Sequence, residues 1–142
     1  MLSVTILCVG GLKESYFRAA CAEYEKRLTA YVKLHTKECA SDEQLLASLR
    51  SVRGHKIALC VEGKQLSSES LAAHIDRVVT AGKSEVVFVI GGAEGLTEEA
   101  KALCDLRLSF SMMTFPHRLA RLMLLEQIYR AETILRGTGY HK

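Results

Sequence analysis

A single proline, Pro116, stands in 142 residues, and tryptophan is absent. Average usage is about 5% proline, so this chain is built of long regular elements with few rigid turns. No apolar run approaches the ~18 residues that a membrane-spanning helix needs. Leu2–Val9 is apolar, but nothing basic precedes it except the terminal amine, and no small-residue cleavage pattern follows. It therefore predicts a buried strand, not a signal peptide. The five cysteines (8, 21, 39, 60 and 104) are odd in number, widely spaced and without a C-x-x-C pair. This argues against a disulfide framework or a zinc site, and for a cytoplasmic protein with no metal. Neither G-x-G-x-x-G nor the full G-x-x-x-x-G-K-[ST] occurs, since Gly82-Lys83-Ser84 has Arg77 where the first glycine would stand, which removes the dinucleotide fingerprint and the Walker loop.

What is present is close to the globular average, with 49% hydrophobic and 25% charged residues. That suits one domain over 1–142 with a real core. The net charge of +3 is unevenly placed. Residues 1–116 carry 14 basic and 14 acidic side chains, while residues 117–142 carry five basic and two acidic ones. The basic end points either to a polyanion partner or to a solvated helix face.

Hydrophobic periodicity alternates along the chain. Leu2–Val9 reads as a strand, Glu14–Val32 as an amphipathic helix, and Val32–Thr36 as a half-exposed strand. Ser41 with Gln44 forms a candidate capping box for the next helix. Ile57–Val61 is a strand turning at Glu62-Gly63, and Ser67 or Ser68 caps a helix that Gly82 stops. Val86–Ile90 is a run of β-formers, Thr97 caps a short helix to about Cys104, and Leu106–Ser111 is a further strand. A long helix starts near His117, with Pro116 in its first turn. The order β-α repeated five times predicts an α/β fold, a mainly parallel sheet with helices on both faces.

Ligands of such sheets sit beyond the carboxyl ends of the strands. Three segments have the character of strand-end loops: Leu59–Lys64, Gly91–Leu96 and Phe110–His117. The second holds three glycines in five residues, which either let a ligand approach the backbone or simply make a tight turn. Glu94 there would repel a pyrophosphate, so a phosphate-free or cationic nucleoside fits better. The third is apolar with small hydroxyls and no charge, suited to an adenine pocket or to a core strand and loop. On a helical wheel, Ala120, Met123, Leu124, Ile128, Ala131, Ile134 and Leu135 of the last helix form one apolar face. Leu122, Leu125 and Tyr129 form a second stripe beside Arg118 and Arg121. The second stripe predicts a homodimer, unless the chain itself buries both.

Val89-Ile90-Gly91-Gly92-Ala93-Glu94-Gly95-Leu96, Leu108 to His117, Glu126-Gln127-Ile128-Tyr129-Arg130-Ala131 and the closing Tyr140-His141-Lys142 together carry a resemblance. Over essentially its whole length the chain resembles the large-subunit ribosomal RNA methyltransferase H family, within the trefoil-knotted SPOUT superfamily. The resemblance implies a C-terminal trefoil knot, a homodimer, and methyl transfer from S-adenosylmethionine to N3 of a pseudouridine in 23S rRNA of the assembled bacterial ribosome. It implies cofactor contacts at Leu59, Gly91, Phe110, Ser111, Met112, Met113, Thr114 and Phe115. Ala93, Arg118 and Gly139 depart from the family pattern. The N3 proton must be removed or shared, for which His117, His141, solvent or a carbonyl are open choices. Tyr140 is placed for stacking. Arg130, with Arg118 or Arg121, either contacts RNA or forms salt bridges with Glu126 or Glu132. A ribosome-associated RNA-binding protein without transfer, and a flavodoxin-like nucleotide-binding domain, are the alternatives.

Overall fold

In the computed structural model, which describes residues 1–142, strands and helices alternate throughout. They run β1 (Leu2–Val9), α1 (Ser15–Leu28), β2 (Val32–Cys39), α2 (Asp42–Ser51), β3 (His55–Gln65), α3 (Ser68–Thr80), β4 (Glu85–Ile90), α4 (Glu98–Ala102), β5 (Leu106–Ser109) and α5 (His117–Arg136). The strands form one sheet in the order β2-β1-β4-β3-β5. Every pair is parallel. Crossovers that step towards the β2 edge use α1 and α3 on one face. Those that step back towards β5 use α2 and α4 on the other. This alternation is what a constant right-handed crossover demands when the direction of travel reverses.

Side chains follow the two-residue period of a sheet buried on both faces. Val4, Ile6, Cys8, Val86, Phe88 and Ile90 join α1, α3 and α5 in the larger core. Leu7, Val87, Val89 and Ala58 join α2 and α4 in the smaller one. Cys8, Cys21 and Cys39 are buried, as small core hydrophobes should be; Cys60 and Cys104 are half-buried.

Local differences from the periodicity have visible causes. Helix α1 ends at Leu28, not Val32, because the Thr29 hydroxyl donates to the Lys26 carbonyl at 2.7 Å and closes the turn. Ser67, not Ser68, caps α3, its Oγ accepting the Ser70 N–H at 3.0 Å. Ser41 caps α2, but the Gln44 side chain reaches back to the Ala40 N–H, one residue before the capping-box position. Pro116 is the N-cap of α5 and lies just outside the first turn.

Strand β3 does not turn at Glu62-Gly63. It bulges: both Leu59 and Lys64 pair with Leu108 of β5, and the strand continues to Gln65. A side-chain carbon at Gly63 would lie 2.8 Å from the Arg107 backbone, so only glycine fits the bulge. Strand β5 ends at Ser109, two residues earlier than its pattern suggests.

The second stripe of α5 is covered within the chain. Leu125 is 1% exposed, and Leu122 and Tyr129 pack on the same core. Tyr129 sits among Tyr24, Tyr31 and Tyr140, with ring centroids 6.2, 6.1 and 4.8 Å away. A wheel cannot show that α5 lies between α1 and α3 as well as on the sheet, so it needs more than one apolar sector. Leu135, assigned to the buried face, is exposed.

Candidate functional site

The three strand-end segments meet at the carboxyl edge. Ala58 is level with Val89, so Leu59 stands beside Ile90, the residue before Gly91. Leu59 also pairs with Leu108, two residues before Phe110. Register alone thus aligns Leu59, Gly91 and the start of the 110–115 segment.

The glycine loop folds onto itself. The Gly95 N–H donates to the Gly92 carbonyl at 3.0 Å. A side-chain carbon at Gly91 would lie 2.3 Å from the Gly95 carbonyl carbon, and Gly95 has φ of 80°. Gly91 and Gly95 are therefore required by the turn itself. No atom blocks the space above Gly95, which leaves its backbone open to a ligand.

In the next segment, the Ser109 hydroxyl donates to the Ser111 carbonyl at 2.8 Å, and the Ser111 hydroxyl accepts the Met113 N–H at 3.0 Å. Both hydroxyls hold the loop's shape. Leu59 and Phe110 pack on the core, and Ser111 and Phe115 are half-buried. Thr114 is exposed, and Met112 and Met113 project outward at 82% and 72% exposure. The segment is an open apolar rim, less enclosed than a finished pocket. Two cavities lie away from it. One, of about 460 Å³, runs beside α3. The other, of about 450 Å³, is lined by Gly11–Lys13, Arg18, Glu25, Glu38 and Arg121.

The four candidate catalytic residues fall at two places. His117 opens α5 beside Gly10, where an added methyl would lie 3.9 Å from Nε2. Burial lowers its pKa, Arg118 adds to the effect, and Glu14 partly opposes it. The helix N-terminus works in the same direction. The result is a neutral imidazole with no hydrogen bond to the protein at either nitrogen, the state a proton acceptor needs.

Arg130, Tyr140 and His141 form one interlocked cluster further along α5. Arg130 donates to Glu126 at 2.8 and 3.2 Å, and its guanidinium lies 4.8 Å above the Tyr140 ring. The Tyr140 hydroxyl donates to Glu126 at 2.8 Å. Burial, followed by that bond, raises its pKa well above the ordinary phenol value, so it stays neutral. His141 Nδ1 lies 2.9 Å from Arg130 and Nε2 lies 2.5 Å from Glu69. Guanidinium only donates, so Nδ1 is the acceptor and Nε2–H the donor. The basic nitrogen of His141 is therefore already occupied, and this arrangement does not favour it as a base.

The basic end is also largely neutralised. Arg118 pairs with Glu14, Arg121 with Glu38, Arg130 with Glu126 and Arg136 with Glu132. Arg121, 8% exposed, reaches Glu38 at 2.7 Å. The i,i+4 pairs were legible as alternatives. Glu14, Glu38 and Glu69 come from other elements, and no local spacing signals them. No group of three or more His, Cys, Asp or Glu side chains is arranged to hold a metal ion. No helix is long and apolar enough to cross a membrane.

Known proteins are similar to this chain in sequence and fold. Residues 2–141 match the family model described as a predicted SPOUT methyltransferase. A curated relative from Bacillus pumilus, ribosomal RNA large subunit methyltransferase H, is 44% identical over 99% of this chain and 100% of its own length. Among solved structures, a probable methylase family protein from Haemophilus influenzae superposes with a TM-score of 0.63 at 14% identity, covering 100% of this chain and 72% of that one. The SpoU methyltransferase AviRb from Streptomyces viridochromogenes, solved with the cofactor AdoMet, gives 0.55 at 12% identity over 90% of this chain and 57% of its own.

Proposed function

The chain belongs to the SPOUT methyltransferase family, and from that premise we propose that it methylates N3 of a pseudouridine in 23S rRNA of the assembled ribosome, in the cytoplasm, using S-adenosylmethionine. The observation that carries the proposal is the full-length match to a large-subunit rRNA methyltransferase, at 44% identity. The alignment of Leu59, Gly91 and Phe110–Phe115 at one sheet edge supports it independently.

The residues at that edge suit the cofactor. They are neutral and apolar, with open backbone at Gly95 and no cation among them. Leu59, Gly91, Phe110, Ser111, Met112, Met113, Thr114 and Phe115 would hold it, largely through backbone groups and apolar surface. When bound, S-adenosylmethionine supplies an electrophilic methyl group. The chain's main task is to hold the acceptor nitrogen in line with that methyl. His117 takes the N3 proton, because its imidazole is neutral and unoccupied. Arg130 and Tyr140 act as an RNA-facing platform, braced by Glu126.

The same reading treats residues 1–142 as one methyltransferase domain with a knotted C-terminal half. The return of α5 to the β1 end supports the knot, with Arg118 donating to the Gly11 carbonyl at 3.4 Å. It also includes a homodimer. His117 and Arg130 are 13 positions apart on one helix, about 20 Å at 1.5 Å per residue. A second copy that set its Arg130 beside His117 would shorten that span. The exposed Met112 and Met113 are apolar surface for that contact.

Calorimetry with S-adenosylhomocysteine and mass spectrometry of 23S rRNA from enzyme-treated ribosomes test the proposal. Binding, and a new methyl on a pseudouridine, are expected. No binding removes the methyltransferase reading. Binding without methylation favours an RNA-binding protein that has lost transfer. Light scattering that finds only monomers removes the dimer.

A further inference from the structure

The cavity beside α3 plays no part in the site described above. It is about 460 Å³ and includes Lys64, Ser67, Ser70, His74 and Arg77 in its lining, with no carboxylate among the lining residues. Neither Lys64 nor Arg77 makes an ion pair, whereas all four arginines of α5 do. The floor holds a histidine pair. His74 Nε2 lies 2.8 Å from His55 Nε2, and His55 Nδ1 lies 3.7 Å from Asp105. Burial lowers the pKa of His74, with His55, Arg77 and Lys64 adding to the effect. The two cations thus act on the same point, in a groove whose lining holds no carboxylate.

The groove is continuous with the candidate cofactor edge. Lys64 pairs with Leu108 and Gln65 with Ser109, the residue before Phe110. From Ser67 to Arg77 it follows ten residues of helix, about 15 Å.

We infer that this groove binds backbone phosphates of the RNA substrate, with Lys64 and Arg77 as the charged contacts. The inference rests on the rRNA methyltransferase reading and deepens it by naming where the strand leaves the active site. Lys64 and Arg77 position RNA without touching the reacting atoms. Phosphate contacts set register and supply salt-dependent affinity, while base contacts supply sequence choice.

The test is the pair of substitutions Lys64→Gln and Arg77→Gln together, assayed with whole ribosomes over a series of potassium chloride concentrations. Both side chains are exposed, so folding is expected to survive, and S-adenosylhomocysteine calorimetry verifies it. The expected result is unchanged cofactor affinity and kcat, with KM for ribosomes raised about tenfold. The slope of log kcat/KM against log salt becomes shallower by about one for each cation removed. Lys64→Arg with Arg77→Lys, which keeps the charge, should restore most of the affinity. An unchanged KM and salt slope in the glutamine variant, with an active wild type, overturns the groove. A raised KM with an unchanged slope also overturns it, since the contact is then not electrostatic. A wild type that fails to methylate ribosomes overturns the underlying rRNA reading instead.

Discussion

The start of α5 and the tail beyond its end each offer a histidine, yet the fold treats them oppositely. At the N-terminal end, His117 has both nitrogens free and a lowered pKa. At the other end, His141 is held between Arg130 and Glu69, and Tyr140 is held by Glu126. One imidazole is left reactive and the other is used as a strut. Residue type made both candidates; hydrogen-bond occupancy separates them.

The strongest way to break this comparison is to remove His117. His117→Ala should lower kcat at least 100-fold and leave S-adenosylhomocysteine affinity unchanged, which single-turnover assays and calorimetry would measure. A loss under tenfold would show that solvent or another group takes the proton. Next in size is Glu126→Ala, which removes the acceptor shared by Arg130 and Tyr140. A charged hydrogen bond of this kind contributes about 1.5–3 kcal/mol, so the Tm in calorimetry should fall by several degrees. The Tyr140 phenol should also ionise at lower pH in ultraviolet titration. An unchanged Tm would mean that the tail is not braced.

His141→Ala sharpens the same contrast from the weak side. Turnover should stay within about tenfold of wild type, because the basic nitrogen removed was already engaged. A loss equal to that of His117→Ala would give both ends the same role.

The smallest expected effect is a pH dependence of stability. Burial is the main cause that lowers the pKa of His55, His74 and His117 in the folded state. The unfolded chain binds protons near pH 6.5, where the folded one still refuses them. Unfolding free energy is therefore at its full value above that pH. It declines as pH falls from about 6.5 through the lower folded pKa values. The Tm at pH 5.5 should lie below that at pH 7.5, and His55→Gln with His74→Gln should shrink the difference. Buried Glu132 has a raised pKa and acts with the opposite sign, so the comparison with the double variant isolates the histidines.

The charge distribution repeats the lesson on a larger scale. Residues 117–142 hold the whole excess of positive charge in sequence. Glu14 and Glu38 arrive from the first β-α unit and the second strand to neutralise Arg118 and Arg121. Lys64 and Arg77 lie in the part with no net charge, and make no ion pair around a cavity whose lining holds no carboxylate.

By itself, the sequence determined the element order, the parallel sheet, and the three segments that register aligns at one edge. These follow from local periodicity, caps and glycine positions, which depend on neighbours a few residues away. It also carried the family match, because that match runs through the whole chain. Only the tertiary structure decided which helix stripe was already covered, which glycines served the turn itself, and which arginines were free. It also decided which histidine kept an open nitrogen. Each of these depends on side chains such as Glu38, Glu69 and Tyr24, which reach their partners only after the sheet has folded.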